Sequence, residues 1–205
     1  MKKIIIGLIV IVCSNLLQGQ GFSLSLDIDA DANDGRYMIK SHSGTFIIYC
    51  SGFCMPGLIS CNRLIEVNDK GEILKEKLLE DVDSSADVPT NFIQVNDGGF
   101  VYAHSKFNSN TNKFEMYIYK RDENFELLWG KKINYGSDNI IRNVVEAANG
   151  DILACGWTNN SNVRRSFLLC INGENQSVKW YKLLGEDTYH YAITIINLSS
   201  INNST

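Results

Sequence analysis

The residues with the richest chemistry in this chain are its cysteines. Cys50, Cys54 and Cys61 follow one another closely, with His42 just upstream. Thiolates and imidazole are zinc ligands, but a Cys-x3-Cys-x6-Cys spacing lacks the close ligand pair of a structural zinc knuckle. His42 also falls at a different turn. The preferred reading is a disulfide. If FIIYC and CNRLI form a hairpin turning near Met55-Pro56, Cys50 and Cys61 lie opposite each other and within bonding reach. Cys54 then stays free in the loop. Cys155 and Cys170 sit in apolar strands and read as buried small hydrophobes.

An acidic run, Asp27, Asp29, Asp31, Asn33, Asp34 and Gly35, sets oxygen ligands at alternate positions, as a calcium loop does. Counted from Asp29, however, the glycine comes seventh instead of sixth, and Lys40 stands where a bidentate Glu is required. The run reads as a solvated loop, and no metal or cofactor is expected. The histidines, His42, His104 and His190, share no common context. No nucleophile elbow, His-Glu-x-x-His helix or phosphate-cradling glycine loop is present. No two carboxylates can be placed face to face for glycoside hydrolysis. What remains is surface recognition. Trp157 follows Gly156 just past a strand end, and Phe107, Asn159 and Asn160 belong to polar, Asn-rich loops. These four are the candidate ligand contacts, suited to a glycan or a protein. The loops concerned span 52–60, 106–113 and 157–164, all expected at one rim.

The elements that must carry these residues are repeated. IKSHSGTFIIYCSG (39–52), IQVNDGGFVYAHSK (93–106) and VEAANGDILACGWT (145–158) superpose without gaps, bringing Gly44, Gly98 and Gly150 into register. Each glycine follows Ser, Asp or Asn and precedes an apolar run, the signature of a tight hairpin turn. A second register aligns RLIEVNDKGEILKEKLL (63–79), YIYKRDENFELLWGKKI (117–133) and LLCINGENQSVKWYKLL (168–184), with Lys75, Trp129 and Trp180 at one position. Two motifs keeping one period predict four strands per unit in about 50 residues, the size of a β-propeller blade. The units are placed at 37–85, 91–136 and 143–186, and a fourth begins at 189–198. Before them, 22–27 reads as the trailing strand of a unit and 28–36 as a polar loop. Alternate strand residues are apolar on both faces, as in sheets covered on both sides. Trp129 and Trp180 are expected to pack between neighbouring blades.

The rest of the chain adds context. Its 205 residues are 44% apolar and 20% charged, with a formal net charge of −4. That composition excludes disorder and gives no electrostatic ground for a nucleic-acid partner. Lys2 and Lys3 precede the apolar run Ile4 to Val12, which is too short to span a bilayer. Residues 1–19 read as a secretory signal peptide cleaved near Gly19 or Gln20. A lipoprotein acylated on Cys13 is disfavoured by the bulky Val12 before it. No later stretch reads as transmembrane.

The turns NDGGFVYAHS (96–105), VNDKGEIL (67–74), RDENFELLWGKK (121–132) and ANGDILACGWT (148–158) resemble those of a family of exported β-propeller-type repeat proteins of the Bacteroidota. The likeness covers about residues 22–200. It implies an exported propeller and no catalytic residue. Members of the family often carry a C-terminal sorting domain for type IX secretion, and this sequence shows none.

The expectation is therefore an all-β partial or open propeller of four-stranded antiparallel blades, three full repeats with flanking strands. A compact three-unit β-structure ranks below it. The function expected is a secreted or cell-surface, non-catalytic binding or scaffold module for a protein or glycan. Its open edges would favour edge-to-edge self-association. Against it stand a fragment of a propeller enzyme, hydrolase or quinoprotein-like, and a truncated gene product without function.

Overall fold

Glycine 44 has φ 92°, Gly98 has 86° and Gly150 has 80°. This left-handed conformation is open to glycine without penalty, and it lets each chain segment reverse into a hairpin. In the computed structural model, which describes residues 33–54, 59–79, 88–135, 138–160 and 163–185, those turns open three sheets of the same design. The first sheet holds β1 (Asn33–Lys40), β2 (Phe46–Cys54), β3 (Ile59–Val67) and β4 (Ile73–Leu79). The second holds β5 (Val88–Gln94), β6 (Phe100–Asn108), β7 (Lys113–Arg121) and β8 (Leu127–Ile133). The third holds β9 (Asp138–Glu146), β10 (Ile152–Asn160), β11 (Val163–Ile171) and β12 (Val178–Leu184). Within every sheet the strands are antiparallel and lie side by side in chain order. The fold is all-β, an open propeller-like series of four-stranded blades. No helix among the described residues is long and apolar enough to cross a membrane.

Successive first strands adjoin: β1 contacts β5, and β5 contacts β9, which also lies across β6 and β7. The sheets therefore stack face to face, each burying the apolar face of the one before. Ile47, Tyr49, Leu64 and Leu79 of the first sheet pack with Phe92, Phe100, Tyr102, Tyr119 and Phe125 of the second. On its other face the second sheet gives Val101, Ala103, Met116, Ile118 and Ile133 to a core shared with Ile141, Val144, Ile152, Ala154, Phe167, Leu169 and Ile171 of the third. Along β6, Phe100 to Ser105 are all buried, so both sides of that strand are interior.

Polar side chains stitch the sheets where apolar packing cannot. Asn91 donates to the Val144 carbonyl at 3.1 Å and accepts from the Val144 amide at 2.8 Å. Ser105 Oγ accepts from the Ile141 amide at 2.9 Å. Between the first two sheets, Lys75 donates to the Glu123 carbonyl at 2.9 Å, and Lys77 pairs with Glu126 at 2.9 Å.

Several expectations need correction. Strands β6 and β7 pair as far as Asn108–Lys113, and β10 and β11 as far as Asn160–Val163. Half of the presumed loop 106–113 and most of 157–164 are thus strand, because backbone pairing continues through polar side chains that suggested a loop. Residues 33–36 lie in β1 instead of a polar loop. The units begin three to five residues earlier than placed from the sequence, at 33, 88 and 138. Asp27, Asp29, Asp31, the segment 22–27, the signal segment 1–19 and the fourth-unit segment 189–198 lie outside the described residues.

Candidate functional site

The turn sequences are rich in Asn and Asp because those side chains cap the turn themselves. Asp97 Oδ1 accepts from the Gly99 amide at 3.0 Å, Asn149 Oδ1 from the Asp151 amide at 3.2 Å, and Asn172 Oδ1 from the Glu174 amide at 2.9 Å. Such Asx turns fix the backbone and leave polar atoms at the surface. Stacking the second and third sheets brings these turns to one rim. There they line a cleft of about 440 Å³ whose walls include Asn96, Asp97, Lys120, Glu146, Asn149, Asp151, Asn172, Glu174 and Lys179. The cleft bridges two sheets, and the Asn96 amide donates to Glu146 Oε2 across them at 2.7 Å.

Two ion pairs order the walls. Lys120 meets Asp97 at 2.5 Å, and Lys179 meets Asp151 at 2.7 Å, with Asn149 also donating to Asp151 at 2.8 Å. Burial works to raise the Asp97 carboxyl, but the bond from Lys120 and the Gly99 amide outweigh it and hold it below the usual range. The Lys179 bond lowers Asp151 in the same way, and Asp151 raises Lys179 in return. Carboxylates held ionised by lysines are poorly matched to proton transfer near neutral pH. They are well suited to accept hydrogen bonds. None of the lining residues is aromatic.

A second polar cluster lies on the face that the second sheet turns to the first. Lys132 meets Glu115 at 2.7 Å, Tyr117 OH donates to Glu115 at 2.9 Å, and Asn108 donates to its other oxygen at 2.9 Å. The His104 ring lies 5.4 Å from that of Tyr117 and 5.2 Å from that of Tyr119. Burial pushes the Glu115 pKa up, yet the bonds from Lys132, Asn108 and Tyr117 together bring it below the ordinary value. A carboxyl depressed by folding stabilises above its unfolded pKa of about 4.3 and loses that contribution as pH falls through the folded value. Acid should therefore weaken the second sheet, whose β6, β7 and β8 this carboxylate ties together. Urea titrations at about pH 7 and about pH 4 should show a smaller acid-induced loss for Glu115→Gln than for the native chain. An identical loss would mean that this carboxyl is not involved.

The residues singled out from sequence do not converge on the cleft. Trp157 is 7% exposed, in mid-strand opposite Ile140 and Ser166, with the Arg164 guanidinium 4.4 Å from its ring centre. It is buried, so its expected exposure is corrected. The error came from ending the strand at Gly156. Phe107 is half-buried against Phe114, ring centres 5.3 Å apart. Asn159 pairs with Arg164 across the ladder, and Asn160 with Val163. Phe107, Asn159 and Asn160 lie toward the strand ends away from the glycine turns and Trp157 partway along its strand, all roughly 20–25 Å from the cleft.

The proposed disulfide also fails. The β2–β3 ladder pairs Cys50 with Arg63 and Gly52 with Cys61. The hairpin centre falls one residue later than Met55-Pro56, which shifts every pairing by two residues. Cys50, Cys155 and Cys170 are buried and not joined in disulfides, and burial pushes Cys50 and Cys155 up to about 11. Sequence reasoning saw the Asn-Asp-Gly segments only as turn formers. The signal it missed is that equivalent turns of neighbouring units must share a rim. No family model matches the sequence, and no curated protein matches it.

Proposed function

We propose that the protein is an exported, non-catalytic binding or scaffold module at the cell exterior, and that the cleft between its second and third sheets holds the ligand. The observation that carries this reading is the character of the cleft wall. It consists of turn backbone, three Asn side chains and carboxylates fixed by lysines. Such groups recognise a polar protein segment or a glycan by hydrogen bonding, on a scaffold that need not move. Export rests on the Lys2-Lys3 and Ile4–Val12 leader pattern and on the resemblance to exported repeat proteins.

The test is retention on glycan and peptide arrays by the native chain and by Asp97→Ala and Asn149→Ala variants. Each substitution removes one or two hydrogen bonds and should weaken a cleft ligand by about tenfold. Retention unaffected by both changes would move the binding site elsewhere. Retention of nothing on either array would remove the binding reading.

A further inference from the structure

Charge selects among the ligands that the cleft between the second and third sheets can hold. Four of its lining residues are carboxylates, Asp97, Glu146, Asp151 and Glu174, and two are lysines, Lys120 and Lys179. Four against two leaves the described lining with two negative charges in excess. Both lysines are already engaged in the ion pairs with Asp97 and Asp151. In the first pair the lysine is the inner partner, its side chain 15% exposed against 55% for Asp97. The carboxylate is therefore the end that a ligand meets. In the second pair Lys179 is outermost, but the charge of Glu174 acts on it in addition to its hydrogen-bonded Asp151.

Glu174 is available in a way the paired carboxylates are not. Its amide donates to Asn172 Oδ1 at 2.9 Å and its carbonyl accepts from Gln176 Nε2 at 3.1 Å, so its backbone is held. The residue is exposed, and among the described residues no hydrogen bond reaches its carboxylate. The neutral acceptors beside it are taken, because Oδ1 of Asn149 and of Asn172 each bind turn amides. An incoming donor thus meets carboxylate oxygens. A neutral sugar would gain nothing from the excess charge and would find no aromatic ring among the lining residues, and an anionic one would be repelled.

We infer that the occupant of the cleft is a basic segment of another protein, with an arginine or lysine side chain directed at Glu174. This rests on the reading of the cleft as the ligand site and names what fills it. Arginine suits the site better, since its planar fork can bond both oxygens of one carboxylate.

The test is fluorescence anisotropy of the full chain with a short labelled peptide of alternating Arg and Gly, and with the same peptide carrying Glu for Arg. The native chain should bind the first and ignore the second, and the binding should weaken as salt is raised. Glu174→Lys should weaken it by about tenfold or more, because it sets like charges opposite each other. Asp69→Lys makes the same change in net charge on an exposed turn of the first sheet, and should leave binding within about twofold. Circular dichroism confirms that both exposed reversals leave the fold intact. Equal losses from the two reversals would mean attraction to overall acidity and would overturn the inference. So would a native chain that ignores the Arg peptide yet retains a neutral glycan through Asp97 and Asn149, in which case the cleft remains the ligand site with another occupant. Retention of neither would remove both readings.

Discussion

Phe125→Ala is expected to destabilise the protein by about 3–5 kcal/mol, the usual range for emptying a buried phenylalanine site. Phe125 is wholly buried, packs edge-on against Phe100 at 5.3 Å and lies beneath Lys75 from the neighbouring sheet. Its carbonyl accepts from Arg121 Nη1 at 2.8 Å, and Arg121 Nε donates to Tyr102 OH at 3.0 Å. One side chain thus joins the core of the second sheet to the face of the first. It does so from a backbone at φ 67°, a conformation that costs a residue with a Cβ about 1–2 kcal/mol. The equivalent position in the first sheet, Gly71 at φ 82°, carries no such strain. Phe125→Gly should therefore be less harmful than Phe125→Ala by about 1 kcal/mol, even though it removes more of the side chain. Urea unfolding followed by circular dichroism checks both. An alanine variant within about 1 kcal/mol of the native chain would mean that Phe125 does not bind the sheets together.

Gly156→Ala should be comparably damaging, at about 3 kcal/mol or more, for the opposite reason. A Cβ at Gly156 would sit 2.0 Å from the Ile140 carbonyl oxygen and 2.9 Å from the Ile141 Cα. Those atoms are backbone of β9, at the irregularity where the β9–β10 ladder shifts register beside Cys155 and Gly156. No rotamer can relieve the clash, so β9 itself must move. Because Ser105 and Asn91 hold β9 at Ile141 and Val144, the displacement would loosen the second sheet from the third. Hydrogen exchange should show the Ile141 and Val144 amides losing protection first. A useful control is Gly44→Ala, where a Cβ meets nothing within 4 Å and only the positive φ is penalised, by about 1 kcal/mol. Equal effects at the two sites would remove the steric explanation.

What the sequence revealed and what it hid divide along a physical line. Gly44, Gly98 and Gly150 announced their turns because a residue without a Cβ is the local solution to a local problem. The paired register around Lys75, Trp129 and Trp180 followed from the same repetition. Trp129 packs against the core shared by the second and third sheets as expected, while Trp180 stays 39% exposed. The left-handed residues Phe125 and Gln176 were invisible, since only Gly71 advertises that conformation at their shared position. Cys50 and Cys61 were misjudged because a one-residue error in a hairpin centre doubles across its ladder. The cleft could not be read at all. Its walls come from turns about fifty residues apart, and their meeting depends on how two sheets stack, which no single segment encodes.

The strictly consecutive strand order has a kinetic corollary. Each four-stranded sheet is assembled from hairpins between sequence neighbours, so the chain entropy lost in forming it is small and the search is short. The two largest apolar clusters, by contrast, each need two sheets. As the polypeptide emerges from its N-terminus, every newly made sheet would provide the lid under which its predecessor sets, and native structure would advance along the chain like a zip instead of condensing at once.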